Sequence, residues 1–177
     1  MKKILMTLVA AAMALGVSAQ AYVGGGVGVY SASTDFNGNK TDATVFKFVP
    51  EVGYSFNDDW AAGVAFGWEG TTKGGAKTVG INPYVRYTLL KGKIASAFID
   101  GSIGYEHTYN AGNDVDGFSV GLKPGIALNI NNRLSFVTHI GFFGYQNEKD
   151  NNTNAKTDVW GVDLDGNNIV FGLYYNF

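Results

Sequence analysis

Two histidines, His107 and His139, are the first residues to consider for catalysis. Imidazole titrates near neutral pH, and a hydrolytic or acyl-transfer site places it beside a serine or a second carboxyl group. Neither histidine forms a recognisable pair of that kind with a serine. We interpret His139 as a hydrogen-bonding group on the polar face of a strand and His107 as an interfacial residue near a strand end. The sequence therefore predicts no catalytic residue, and we expect that the protein is not an enzyme.

Two acidic motifs and one glycine-rich segment are candidate binding sites. The segments 114–117 and 163–166 each have the pattern Asp-X-Asp-Gly, but neither continues into the ligand spacing of an EF-hand. Asp-Gly is also a common turn signal. The glycine-rich segment 24–28 has neither the lysine of a phosphate-binding loop nor a following helix. We therefore expect no metal and no cofactor.

The N-terminus indicates export from the cytoplasm. Two lysines are followed by an apolar run over residues 4–17 and by the small-residue motif Val17-Ser18-Ala19. This pattern predicts a cleaved secretory signal peptide over 1–19, with cleavage after Ala21 as the alternative, and a single domain over 20–177. The chain has no cysteine, and its formal net charge of −2 includes no basic patch. We expect no disulfide and no nucleic-acid partner.

After this segment the chain alternates between apolar and polar residues with the period of two that is typical of β-strands. The alternation predicts eight strands, at about 22–32, 44–56, 60–71, 78–89, 95–109, 117–130, 133–146 and 158–177. No later apolar run approaches the roughly 20 residues of a membrane helix, whereas each strand has the roughly 9–11 residues of a tilted membrane strand.

The polar phase of the second to sixth strands carries all of their charged side chains. These are Lys47, Glu51, Glu69, Arg86, Asp100, Glu106 and Lys123. A soluble barrel with its apolar face inward also alternates, but glycine and serine on the polar phase suit a narrow lumen. Arg or Lys facing lipid would cost about 2–4 kcal/mol each at the bilayer midplane. We therefore predict lipid outside and an ionic network of these seven residues in the lumen.

The network has a predicted centre at mid-height. Arg86 and Asp100 lie on neighbouring strands, and both are in the lower half of those strands. Glu51 and Lys123 lie near the same height on opposite walls, and burying either charge alone would cost several kcal/mol. We expect these four charges to close the lumen, with Glu51 paired to Lys123.

Aromatic residues on the apolar phase cluster near the strand ends, as expected for belts at the two membrane interfaces. The belt residues that we predict are Tyr54, Phe56, Trp60, Trp68, Tyr87 and Tyr105.

Three features depart from regular strands. Pro50, Pro83 and Pro124 each remove a ladder donor, so we expect local bulges there. The seventh strand has bulky side chains on both faces near Phe142 and Phe143. The apolar phase of the last strand changes, which predicts a bulge or turn near 165–167.

The alternating lengths of the connections and four sequence segments indicate a family resemblance. Tight polar turns near 57–59 and 131–132 alternate with longer polar loops, the pattern of short periplasmic turns and long outer loops. The signal peptide, the glycine-rich segment 22–30, the segment 50–63 and the terminal segment 171–177 resemble the outer-membrane β-barrel domain family. That family includes small OmpX-like proteins and the barrel half of OmpA, and the resemblance covers essentially the whole mature chain.

The alternation and the resemblance agree on an all-β fold, an eight-stranded antiparallel up-and-down transmembrane β-barrel in the cell outer membrane. The resemblance implies export by the Sec machinery and insertion by the barrel-assembly machinery, which would read Tyr175 and Phe177 as its signal. The expected partners are outer-membrane lipid, these two machineries and an extracellular ligand or host surface that the sequence does not identify.

Two functions remain open. The first is a non-enzymatic envelope protein that maintains membrane integrity or displays loops for adhesion and recognition. The second is a narrow porin-like channel for ions or small solutes. Eight strands leave an interior that side chains just fill, which favours the first.

Overall fold

A computed structural model describes residues 20–36, 39–72, 75–110, 113–163 and 170–177. The predicted signal peptide and the predicted irregularity near 165–167 lie outside these residues. No helix in the described part of the chain is long and apolar enough to cross a membrane.

The described chain consists of strands and short turns. The strands are β1 (Ala21–Phe36), β2 (Asn39–Ser55), β3 (Trp60–Thr71), β4 (Lys77–Lys91), β5 (Ala95–Asn110), β6 (Asn113–Asn129), β7 (Leu134–His139), β8 (Phe142–Asp150), β9 (Lys156–Asp163) and β10 (Val170–Asn176). Strands β7 and β8 both pair with β6, so they are two parts of one wall strand. Strands β9 and β10 continue the next wall strand in the same way, because they pair with β8 and β7 respectively. The wall is therefore the predicted antiparallel barrel of eight strands.

Pairing of the first and last strands closes the barrel. Strand β1 pairs with β10 from Tyr22↔Asn176 to Val27↔Phe171. Beyond Val27, the described pairing of β1 is with β2 alone, and that of β9 is with β8 alone. The continuous closed ladder thus lies at the end of the barrel that carries the short turns.

Two of the short turns at that end have the same hydrogen-bonding pattern. The side-chain oxygen of Asn57 accepts hydrogen bonds from the backbone N–H groups of Asp59 and Trp60, at 2.8 and 2.9 Å. Asn131 does the same for Arg133 and Leu134, both at 2.8 Å. An asparagine that bonds the backbone two and three residues ahead stabilises a tight turn. These turns place the polar sequences 57–59 and 131–133 between strands without a longer loop.

The two faces of the wall differ as the alternation predicts. In β4, the side chains of Val79, Ile81 and Val85 are 41–47% exposed, whereas Tyr84 between them is 7% exposed. The same alternation continues on β6 and β10, where large apolar residues point outward. The buried set faces inward instead, and it includes the charged residues Glu51 and Asp100.

The bulge expected at each proline is present only beside Pro124. The ladder between β6 and its partner runs Leu122↔Phe143 and then Gly125↔His139, so the partner holds one extra residue between these pairs. The extra residue is accommodated at Ile140–Gly141, where Gly141 has a φ of 81° that favours glycine. The bulge also explains the bulk on both faces here, because Phe142 lines the lumen while Phe143 points outward.

At Pro50 and Pro83 the expectation of a bulge was wrong. The β2–β3 register continues from Phe48↔Trp68 to Glu51↔Ala65 without a shift. The β4–β5 register likewise continues past Pro83, from Ile81↔Tyr105 to Tyr84↔Ser102. In both places the ladder omits the pairs at the proline and resumes in register. The wall thus accommodates the missing N–H by losing local bonds rather than by adding a residue.

Large rings in the lumen lie over glycines of neighbouring strands. The directly opposed pairs are Tyr22↔Gly53, Gly63↔Tyr84, Gly24↔Tyr174 and Phe98↔Gly125. A Cβ atom built on any of these four glycines would lie closer than 3.0 Å to the opposing ring. Aromatic cover of a strand glycine is a known stabilising arrangement, and here it lets four rings enter a narrow lumen.

This arrangement predicts that a side chain at Gly63 destabilises the barrel. Gly63→Val would crowd both the Tyr84 ring and the carbonyl oxygen of Val52. We expect it to lower the free energy of unfolding by about 1–3 kcal/mol, the usual cost of overpacking. Gly161→Val is the matched control, because a Cβ there meets nothing within 4 Å. Urea unfolding of the refolded protein, followed by tryptophan fluorescence, measures both, and equal stability of the two variants would contradict this account.

Candidate functional site: the lumen of the barrel

A paired arginine and aspartate lie at the centre of the lumen. Arg86 on β4 and Asp100 on β5 are direct partners in the ladder. The guanidinium donates to both carboxylate oxygens, with Nε–Oδ1 at 2.7 Å and Nη2–Oδ2 at 2.8 Å. Their side chains are only 11% and 4% exposed. A bidentate pair of this kind is among the strongest polar contacts available to a protein, and it fixes both side chains in orientation.

Glu51 on β2 is the second carboxylate at this height. Its Oε1 lies 3.7 Å from Nη2 of Arg86. The hydroxyl groups of Tyr84 and Tyr174 donate to its two carboxylate oxygens, one to each. Glu51 is 5% exposed, so these donors replace the water that a buried carboxylate would otherwise need.

His139 and two further rings complete the cluster. The Nε2 atom of His139 lies 2.8 Å from Oδ2 of Asp100. The hydroxyl oxygen of Tyr22 is within hydrogen-bond distance of that of Tyr84. The guanidinium carbon of Arg86 lies 3.9 Å from the centroid of the Phe98 ring, which is cation–π distance. We call the group of Tyr22, Glu51, Tyr84, Arg86, Phe98, Asp100, His139 and Tyr174 the Arg86 cluster.

The Arg86 cluster lies between two cavities of the lumen, each with a volume of about 350 Å³. The outer cavity is lined by Glu51, Asp100 and His139. The inner cavity, at the short-turn end, is lined by Arg86 and Phe98. Tyr84 contributes to the wall of the first cavity, and Tyr174 contributes to both. The cluster is thus the layer that separates the two halves of the lumen.

The remaining charges of the predicted network line the outer cavity or lie beside it. Lys47 and Glu69 are direct ladder partners on β2 and β3, and their charged atoms are 3.9 Å apart. Lys47, Glu106 and Lys123 are all part of the cavity lining. The structure therefore divides the seven predicted residues between the Arg86 cluster and the outer cavity.

The expected pairing of Lys123 with Glu51 is not present. The Nζ atom of Lys123 lies 5.9 Å from the centroid of the Phe142 ring. Among the described residues, no ion pair within 4.0 Å involves Lys123, whereas Arg86 is the cation nearest to Glu51. The reason is geometric, because the tyrosines that hold Glu51 turn its carboxylate toward Arg86. Lys123 is the ladder partner of Asp100, and its side chain is part of the outer-cavity lining near Phe142.

Sequence reasoning missed the tyrosines of the cluster and the bond between His139 and Asp100. A signal was present, since Tyr84 and Tyr174 occupy the same phase as the lumen glycines and asparagines of their strands. A large hydroxylated ring on a glycine-rich face indicates a side chain that must find both space and a polar partner.

The predicted belt residues lie on the outer face of the wall. Trp60 and Tyr87 are direct partners at the short-turn end, with ring centroids 4.7 Å apart. Tyr54 and Phe56 lie near the same end, with centroids 5.7 Å apart. At the other end Trp68 and Tyr105 are 45% and 49% exposed. These are the positions on the outer face, near the two ends of the wall, that the two predicted aromatic belts require.

His107 lies on the outer face as well, just above the second belt. Its Nδ1 atom is 2.6 Å from Oδ1 of Asp116. The side chains of Tyr105 and Asn151 also donate to Asp116, at 2.7 Å each. The hydrogen bond from His107, followed by those from Asn151 and Tyr105, holds the pKa of Asp116 well below its usual range. Asp116 therefore remains ionised across the physiological range.

In the described part of the chain, the hydrogen-bond partners of the two histidines are aspartates rather than serines. His139 has an aspartate partner, but the buried hydroxyl of Ser102 makes no hydrogen bond with it or with any other described group. No group of three or more His, Cys, Asp or Glu side chains is placed to hold a metal within these residues. The polar contacts that the structure shows in the lumen are paired buried charges and their hydrogen bonds with tyrosine and histidine side chains.

Comparisons with known proteins agree with this geometry. The sequence model of the outer membrane protein beta-barrel domain matches residues 4–177. No curated protein sequence matches the chain. The fold is similar to the crystal structure of Neisserial surface protein A (NspA), with a TM-score of 0.56 and 12% identity over 90% of this chain and 98% of that one. It is also similar to the outer membrane protein OprG from Pseudomonas aeruginosa, with a TM-score of 0.54 and 15% identity over 89% and 96% of the two chains.

The geometry predicts that the energetic coupling of the lumen lies between Arg86 and Asp100. Arg86→Met leaves two buried carboxylates without a cation, and we expect it to cost about 3–5 kcal/mol of unfolding free energy. Asp100→Asn should cost less in that background than alone, giving a coupling of about 0.5–3 kcal/mol. A double-mutant cycle in urea measures this, with Glu51→Gln and Lys123→Met as the control pair. A larger coupling for the control pair than for Arg86 and Asp100 would overturn this assignment.

Proposed function

The chain belongs to the outer membrane protein β-barrel domain family and is located in the cell outer membrane; on that premise we propose that it is a non-enzymatic envelope protein with a closed lumen. In this function the barrel stabilises the membrane, and its outer turns are presented for adhesion or recognition. The observation that carries the proposal is the Arg86 cluster, which fills the cross-section between the two cavities with paired charges and rings.

Burial and pairing within the cluster support a closed state. The carboxylates of Glu51 and Asp100 are 5% and 3% exposed as residues, so little water reaches them. To open a continuous path through the lumen, the bidentate bond between Arg86 and Asp100 must break. Both charged side chains would then remain in a narrow interior. Separating one partner of a buried ion pair costs several kcal/mol, which keeps the open state rare.

The turn between β8 and β9, at the outer end of the barrel, has a shape defined by hydrogen bonds. The carboxylate of Asp150 at the end of β8 accepts hydrogen bonds from the backbone N–H groups of Asn152 and Thr153, at 2.8 and 3.0 Å. The bonds from Thr153 and Asn152 lower the pKa of Asp150, so the turn keeps this support at neutral pH. A turn with a defined shape is a better recognition surface than a flexible one, because less entropy is lost on binding.

A second candidate function is a narrow channel. The observation in its favour is that only one layer of side chains separates the outer cavity from the inner one. A change of rotamer at Arg86 that released Asp100 would join the two cavities into a continuous path.

Single-channel recording distinguishes the two functions. We expect the wild-type protein in planar bilayers to show no discrete conductance steps, because the Arg86 cluster blocks the lumen. The double variant Arg86→Ala/Asp100→Ala removes both partners without leaving an orphaned charge of that pair, and it should conduct. Frequent steps in the wild type, unchanged in the double variant, would favour the channel over the closed barrel.

For assembly we propose that Phe177 is part of the signal read by the barrel-assembly machinery after Sec export. Its backbone N–H donates to the carbonyl of Ala21 at 3.0 Å, and its ring meets that of Tyr175 with centroids 5.2 Å apart. Deleting Phe177 removes one closing hydrogen bond, so refolding in detergent should change little while the outer-membrane yield in cells falls. Normal insertion of the truncated chain in cells would contradict this role.

A further inference from the structure

The outward face of the β8–β9 hairpin changes in chemistry step by step along its length. Successive outward pairs are Phe143↔Val162, Tyr145↔Trp160, Asn147↔Asp158 and Lys149↔Lys156. The order is therefore apolar, aromatic, polar and basic. A membrane presents the same order from its hydrocarbon core through the interface to the charged headgroups.

The aromatic pair sets the height of the membrane boundary on this hairpin. The rings of Tyr145 and Trp160 are 4.8 Å apart between centroids, and Trp160 is 79% exposed on the outer face. The lysine pair lies four residues beyond this pair on each strand. At about 3.4 Å per residue and a tilt of about 35–45°, it stands roughly 10 Å above the rings. Flexible lysine side chains at that level can reach the phosphate groups of lipid headgroups.

The two lysines stand directly opposite each other, although like charges in that position destabilise a strand pair. The two carboxylates nearby accept hydrogen bonds from other side chains. Asp116, the ladder partner of Lys149 on β6, accepts hydrogen bonds from Tyr105, His107 and Asn151.

Asp158 accepts hydrogen bonds from the side chains of Tyr145 and Asn147 in the same way. No ion pair within 4.0 Å involves either lysine in the described part of the chain. Asp158 interacts electrostatically with Lys156 but is not within 4.0 Å of its ammonium group, so no described carboxylate forms an ion pair with either lysine.

We propose that Lys149 and Lys156 bind the phosphate groups of a phosphorylated glycolipid in the outer leaflet of the membrane, with Trp160 and Tyr145 against the base of its headgroup. A phosphate between the two ammonium groups would turn a repulsive pair into a bridged one. The proposal rests on the orientation in the proposed function, in which the β8–β9 turn is outside the cell.

Binding of purified lipid A to the refolded full chain in zwitterionic micelles, counted by native mass spectrometry, tests the proposal. A lysine near a charged membrane surface contributes about 1 kcal/mol, which is about a fivefold change in affinity. We expect Lys149→Gln/Lys156→Gln to bind bisphosphorylated lipid A roughly 25-fold more weakly than the wild type, as two such contributions multiply. Lipid A with its phosphates removed should bind both proteins equally.

The control is Lys91→Gln/Lys93→Gln, which removes the same charge at the short-turn end and should bind like the wild type. A heat-dependent shift in gel mobility confirms that each variant is folded. Equal binding of phosphorylated lipid A by the wild type and the Lys149/Lys156 variant would overturn the proposal, as would an equal loss in the control. Labelling of Thr153→Cys by an impermeant reagent on intact cells tests the orientation separately, so failure of the proposed function is distinguishable from failure of the lipid site.

Discussion

The bidentate contact between Arg86 and Asp100 is the interaction on which the rest of the lumen depends. A guanidinium inside a closed wall of eight strands has few sources of solvation, and an unpaired one would cost several kcal/mol. Asp100 meets that need from the neighbouring strand, Glu51 lies on the far side at 3.7 Å, and His139 bonds the second oxygen of Asp100. The positions of the surrounding tyrosines follow, because Glu51 requires donors that Arg86 alone does not provide.

Glycines on neighbouring strands provide the space that the rings of this cluster occupy. Four large rings of the cluster stand directly opposite a glycine, and the close approach leaves no space for a Cβ atom. The glycine-rich composition of the chain, with 25 glycines, is therefore not only a source of flexible loops. In the strands it provides the room in which aromatic rings and paired charges form one layer across a narrow interior, between the two cavities.

Much of this architecture could be predicted from the sequence, because side-chain direction in a strand has a period of two and the membrane makes the two faces chemically different. That argument placed Arg86 and Asp100 inside and Trp60 and Tyr87 outside. It could not place Lys123, because the direction of a long side chain within the lumen depends on which acceptors are already occupied.

Ladder irregularities could be predicted only in part, because the bulge expected at each proline is present beside Pro124 alone. Pro124 has a bulge beside it and Pro50 does not, although both lack the same donor. The difference lies in the neighbouring strand, where Gly141 supplies the backbone conformation that an extra residue needs. The residue pattern along one strand contains no information about the backbone conformation of the strand that pairs with it.

The central claim is that the Arg86 cluster separates the lumen into two compartments, and cysteine accessibility tests it most directly. The natural chain has no cysteine, and β3 offers Ala65 in the outer cavity and Ala61 in the inner one, both on the lumen face. A small membrane-impermeant thiol reagent added to intact cells should modify Ala65→Cys and leave Ala61→Cys unmodified, while opening the periplasm should make Ala61→Cys reactive. Modification of both positions at the same rate from outside would contradict the account.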